Sequence, residues 1–296
     1  MNLITFETLT LQERGHARGG VFRYYELLHG REGAPDNFYL SIGVLAGDFV
    51  SPRHRHNFDQ VRFQLEGAYD FGADGVMHPG SIAYFPEGTR YGPQKTVDPK
   101  TLTLVLQMGG ASGNGYMSER EFQRGLAELK TLGSFKDGVF TREKPGGGKI
   151  NQDAYEAVWE HVNRRELVYP KERYTHAVFM EPENFAWVPS GPGLATKLMG
   201  VFNERGTKIA FHGLNSGARL QLDEASLWFV RSGSGDAGGQ AWRRWTTMRT
   251  EAGEHAEIEA TEHSEILQMA LPRLADPAAA RARDGAGDHR GALARP

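Results

Sequence analysis

The sequence predicts an all-β protein built from two antiparallel sandwiches or barrels in tandem. Short apolar or alternating runs recur from Val21 to Leu271, and Gly, Pro, Asn or Asp bound most of them. Glycine is abundant at 37 of 296 residues, as frequent turns between short strands require. Helical periodicity is confined to the segment between residues 118 and 166.

In chain order, the first strand candidates are Val21–Leu28 and Phe38–Leu45, with a Gly- and Pro-containing loop between them. Strands over 49–56, 60–66 and 68–71 follow. Asp74-Gly75 is a turn signal, and Ser81–Phe85 and Thr101–Met108 complete the first half. Ser118-Glu-Arg-Glu121 reads as a capping box. Phe122, Leu126 and Leu129 then repeat at helical spacing, which predicts a helix over 119–131. Lys144-Pro-Gly-Gly-Gly-Lys149 reads as a linker. It lacks the Ser or Thr ending and the preceding strand of a phosphate loop. A second helix is expected over Asn151–Arg165. Both helices are expected to pack between domains.

Strand candidates resume with 178–180, 185–188, 196–202, 207–212, 219–222, 226–230, 240–245, 256–260 and 265–271. The expected division is therefore 1–117, a connection over 118–166, and 167–274. Residues 275–296 are rich in Ala, Arg, Gly and Asp without apolar period and read as a disordered tail.

The stretch Gly47–Gly67 organises this reading. His54 and His56 lie two apart, so on a strand they share a face. Gln60, Arg62 and Gln64 continue that polar face, while Val61, Phe63 and Leu65 occupy the other. Neutral imidazoles are good ligands for transition metals, and two of them with an oxygen donor can hold one ion. A bare His-x-His is also common on exposed edge strands.

Gly47, His54, His56, Gln60 and Gly67 resemble the first signature of the cupin superfamily, with one extra residue after the first glycine. Gly80, Pro86 and Gly88 resemble the second. Two positions depart from the pattern. Gln60 stands where the family has glutamate, and Tyr91 where it has the third histidine. Gln94 or Lys95 falls near the signature's asparagine.

The resemblance implies RmlC-like jelly rolls, two in this chain, joined by short helices. The second half carries no His-x-His and looks like a copy that lost its metal site. The implied metal ligands are His54, His56, Gln60 and Tyr91, for one divalent ion among Fe, Mn, Ni, Zn and Cu. Tyr91 and Arg62 are the candidate catalytic groups: Tyr91 as ligand, proton donor or hydrogen-bond partner, and Arg62, from its place on the polar face, as a bidentate partner for a substrate carboxylate or as half of a salt bridge at the barrel mouth. Gln64, Tyr84 and Gln107 are possible walls, and Tyr69 is expected to pack.

The implied function is a metal-dependent enzyme, dioxygenase- or lyase-like, acting on a small oxygenated or acidic molecule. The alternative is a metal-free binding module or isomerase. A homodimer is implied by the resemblance alone.

Net charge is −3 and pI about 6.4, which gives no sign of a nucleic-acid or membrane partner. No apolar run approaches the roughly 18–20 residues of a membrane span. Cysteine is absent, which excludes disulfides and thiolate ligands and fits a cytoplasmic protein. No G-x-S-x-G elbow supports serine hydrolysis.

Overall fold

A computed structural model describes residues 1–15, 21–46 and 49–274. Gly47, His16, His289 and the tail expected over 275–296 lie outside the described residues.

The strands over 134–136, 139–143 and 149–153 form a three-stranded meander, and the other four sheets among the described residues form stacked layers. The first is a four-stranded sheet in the order 50–51, 94–96, 69–70, 76–77. The second is a seven-stranded sheet in which Phe58–Glu66 lies between Ile82–Phe85 and Lys100–Gly109, followed outward by 38–46, 21–29 and 12–15. The third, also seven-stranded, centres on Ser226–Ser232, Ser264–Ala270 and Lys208–Leu214. The fourth contains 219–222, 256–260, 234–237 and 240–243. Each half is thus a sandwich of a seven-stranded and a four-stranded sheet. The ladders stay open at their edges and do not close into a barrel.

The two large sheets pack face to face. Val61, Phe63, Ile82, Leu104 and Leu106 from one meet Ile209, Phe211, Phe229 and Leu267 from the other in one apolar core. Period-2 alternation builds this core and the site together. Val61 and Phe63 point into the layer between the halves, and Gln60, Arg62 and Gln64 point into the first jelly roll. Each half also lends a strand to the other. Asn2–Ile4 pairs with Thr247–Thr250, and Val178–Met180 pairs with Ile82–Phe85.

Four local expectations are corrected. The strand expected over 49–56 ends at Ser51, and the chain then runs irregularly through a single bridge, His54 to Tyr91. The glycine run at 146–148 is the turn of a hairpin between Val139–Glu143 and Lys149–Asp153, since glycine alone takes its positive φ angles without strain. The second helix therefore starts at Ala154, capped by the Asp153 carboxylate, which accepts from Tyr155 N at 2.9 Å. In place of a strand at 185–188, a 3₁₀ turn at Pro182–Asn184 leads to a strand at Val188–Gly191. The first helix runs from Glu119 to Leu129 with both halves of its capping box made.

The second jelly roll is filled by Trp228, Trp242, Leu222, Met248, Ile258 and Ile266. His212 does not meet His263. It lies against Gln268 Oε1 at 2.9 Å and Thr196 Oγ1 at 3.3 Å, while His263 is exposed.

Candidate functional site

The signature glycines are backbone requirements. Gly67 has φ +65°, and a Cβ there would lie 2.5 Å from Lys100 O. Gly88 has φ +80°, and a Cβ would meet Pro170 O at 2.5 Å. Gly88 N donates to His56 O, and His54 and Tyr91 exchange two backbone hydrogen bonds of 2.9 and 3.1 Å. The loop of the second signature is thereby sewn to the His-x-His segment, and Tyr91 is delivered to the histidines.

His54, His56, Gln60, Arg62 and Tyr91 converge within the first jelly roll. The rings of His54 and His56 are 4.8 Å apart and nearly perpendicular, and Tyr91 lies 4.7 Å from His54. His54 Nδ1 sits 2.6 Å from Pro52 O, which can only accept, so Nδ1 carries a proton and, in the neutral ring, Nε2 carries the lone pair. Gln94 Nε2 lies 3.5 Å from that Nε2. His56 is covered by Phe58 and by Tyr155 of the second helix, whose hydroxyl donates to Asn57 Oδ1 at 2.8 Å. This helix therefore closes the site as well as packing.

Arg62 is the hub. Nε and Nη2 donate to Gln60 Oε1 at 3.2 and 2.9 Å, Nη2 to Tyr91 Oη at 3.3 Å, and Nη1 to Gln94 Oε1 at 2.6 Å. Gln60 Nε2 donates to the same tyrosine oxygen at 3.0 Å, and Tyr69 Oη donates to Gln94 Oε1 at 3.2 Å. The aromatic faces of Phe85, Phe71 and Tyr91 surround the guanidinium carbon at 4.8, 5.3 and 5.5 Å. Arg62 is only 8 % exposed, and no carboxylate pairs with it among the described residues.

Of these groups, His54, His56, Arg62, Tyr69 and Gln94 line a cavity of about 130 Å³, together with Gln107, while Gln60 and Tyr91 stand behind its wall. Burial pushes the Tyr69 phenol above its ordinary pKa, against the pull of Arg62, so it stays a donor.

Gln107 stands on the wall, as its place in the sequence suggests. Tyr69, expected only to pack, lines the cavity as well. Tyr84 faces the other way, with its hydroxyl 2.7 Å from Asp59 Oδ2 between the halves. Gln64 is taken up by Thr103 Oγ1 and by the carbonyls of Glu66 and Gly67. The sequence marks Gln94 only as a neighbour of the signature's asparagine position. Its role as the partner of Arg62 depends on the pairing of 94–96 with 50–51 and 69–70, which no local spacing encodes.

Solved structures share this architecture. A proposed dioxygenase from Nostoc punctiforme superposes with a TM-score of 0.61 at 12 % identity, over 92 % of this chain and 83 % of the other. HEPD from Streptomyces albus, solved with 2-hydroxyethylphosphonate and Fe(II), gives 0.54 at 11 % identity over 97 % and 79 %. Oxalate decarboxylase from Bacillus subtilis, a protein with Mn(II) centres, gives 0.51 at 12 % identity over 92 % and 78 %. No protein-family model matches the sequence, and a search of curated proteins returns no match. The fold is that of the cupins, with two jelly rolls in one chain. At such identities the likeness establishes the fold alone.

Fe(II) and Mn(II) belong to those neighbours, and the donors gathered here do not fit such an ion. The two imidazoles suit it, but Gln60 Oε1 and Gln94 Oε1 are turned to the guanidinium of Arg62. The cavity walls contain no carboxylate among the described residues. Among the described residues, no three His, Cys, Asp or Glu side chains are grouped to hold a metal. A divalent cation here would face a fixed like charge with no anion to offset either.

Proposed function

We propose that the first jelly roll is the active domain of a small-molecule cupin enzyme that moves protons on a small oxygenated, acidic substrate. The observation that carries this reading is that His54 and buried Arg62 line one cavity, with Tyr91 in contact with both behind its wall. Arg62 orients the acid and draws negative charge toward itself. The lone pair on His54 Nε2 accepts a proton from the carbon beside a carbonyl. Tyr91, whose oxygen already accepts from Gln60 and Arg62, gives its own proton to the developing enolate oxygen. These two transfers leave an enol, an imidazolium and a phenolate; return of the enol proton to Tyr91 and of a proton from the imidazolium to carbon completes an isomerase- or epimerase-like cycle and restores both side chains.

The second jelly roll supports the first, since its interior is filled and its large sheet backs the strand bearing Gln60 and Arg62. A homodimer belongs to this reading by resemblance, and sedimentation measures it. No helix among the described residues is long and apolar enough to cross a membrane.

The test is proton NMR in deuterium oxide with small 2-oxo and 2-hydroxy acids. Deuterium enters beside the carbonyl with the native protein, and the exchange is lost in Tyr91→Phe and His54→Ala. Oxygen uptake that requires added Fe(II) and disappears in His54→Ala/His56→Ala would instead establish the metal-dependent dioxygenase reading. That reading draws support from the facing imidazoles and from the neighbours' metals.

A further inference from the structure

The chemistry of Arg62 deepens the proposed function and rests on that reading. A guanidinium has five N–H donors. Four are used here, one each from Nε and Nη1 and both from Nη2, and every acceptor is a neutral oxygen. The phenol of Tyr69, another neutral group, also interacts with the guanidinium. Burying a cation with only neutral partners is costly. The three aromatic faces and the carboxamide oxygens of Gln60 and Gln94 lower that cost without cancelling the charge. The cavity beside Arg62 has about 130 Å³, roughly four waters' worth of liquid volume. Among the described residues of its walls, Arg62 is the permanent cation, and no Asp, Glu or Lys stands beside it.

We propose that Arg62 is the resident cation of this cupin, doing electrostatically what a divalent ion would otherwise do, and that the cavity takes a small carboxylate without metal. The departures from the cupin pattern then have one cause. A glutamate at 60 would pair with Arg62 and quench its charge, whereas Gln60 orients the guanidinium and leaves the charge for the ligand. Tyr91 accepts from Arg62, which a protonated imidazole could not do. Gln94 bridges Arg62 and the imidazole of His54, so the bound acid lies within reach of both.

The experiment is calorimetric titration of the full chain, dialysed against EDTA, with acetate, glycolate and pyruvate as probes. Glycerol and erythritol serve as neutral controls, and each series is repeated with Mn(II) or Fe(II) added. The proposal expects a carboxylate to bind the chelated protein, unchanged by metal, and no binding of the polyols. In Arg62→Lys, which keeps the charge but loses the fork, affinity falls about 10-fold. In Arg62→Met, checked for native circular dichroism, it falls about 100-fold. Carboxylate binding that appears only with metal and is reversed by chelation overturns the proposal and leaves an acid-binding cupin site standing. Binding of polyols in preference to carboxylates also overturns it, with the cavity still a ligand site. If no probe binds in any series, the proposed function fails as well.

Discussion

Arg62 Nη1 donates to Gln94 Oε1 at 2.6 Å, joining the strand 58–66 to the strand 94–96 across the first jelly roll. A buried cation is held by a carboxamide where a carboxylate would have been the simpler partner. Replacing that one atom group tests how the charge is used. Gln94→Glu places an anion against the guanidinium and fills the cavity's electrostatic demand from within. The variant should fold at least as stably as the native chain and bind carboxylates at least about 10-fold more weakly. Urea unfolding and calorimetry on the same preparation measure both.

A second carboxylate lies behind the site. Asp59 is buried between the halves, where it accepts from Tyr84 Oη at 2.7 Å, Glu87 N at 2.8 Å and Asn203 Nδ2 at 3.0 Å. Burial raises its pKa from 3.8 to about 7, although those donors pull it down. The folded state thus holds this proton over a range in which the unfolded chain has released it. Stability should fall as pH rises from about 4 to about 7 and level off above, by at most about 4 kcal/mol for this group. In Asp59→Asn that component of the slope should vanish. Urea midpoints at pH 5, 6, 7 and 8 for both proteins check it.

The halves should unfold as one unit. Phe63 and Phe211 meet edge to face, with centroids 5.7 Å apart, in the core between the large sheets. Either Phe→Ala change should cost about 3–5 kcal/mol. The double variant should cost about 1 kcal/mol less than the sum, since the ring pair is lost only once. Calorimetry should show a single transition. Two separated transitions would mean that the shared core does not couple the halves.

Glu87 follows Pro86 in the loop that delivers Tyr91, and it is 1 % exposed. It accepts from Arg173 Nη1 at 2.9 Å and from Ser112 N at 2.7 Å. Arg173→Met should leave that carboxylate buried with its cation removed, costing about 2–4 kcal/mol. Glu87→Gln in the same background should recover part of the loss, read from the urea midpoint. Without recovery, the charge of Glu87 is not what makes Arg173 matter.

Much of the fold was legible locally. The alternation in 58–66 told which side chains face the cavity, because a strand cannot present Gln60 and Val61 to the same side. The capping box named the start of the first helix to the residue. Local rules failed where a choice was made at long range. The glycines at 146–148 fit a linker as well as a hairpin turn, and only the pairing of 139–143 with 149–153 decides between them. Tyr84, named as a possible cavity wall, faces the layer between the halves instead, where its partner Asn203 is supplied by the other half of the chain.

By itself the sequence determined the many short strands, the glycines their turns need, and the shared face of Gln60 and Arg62, while the resemblance to cupins implied that His54, His56 and Tyr91 join them. The first three follow from backbone sterics and the two-residue period of a strand, both properties of neighbours in the chain. Only the tertiary structure decided what those side chains do to one another. Hydrogen bonds from Arg62 engage the oxygens of Gln60, Tyr91 and Gln94, and whether a buried charge meets a neutral or an ionised partner depends on packing across sheets.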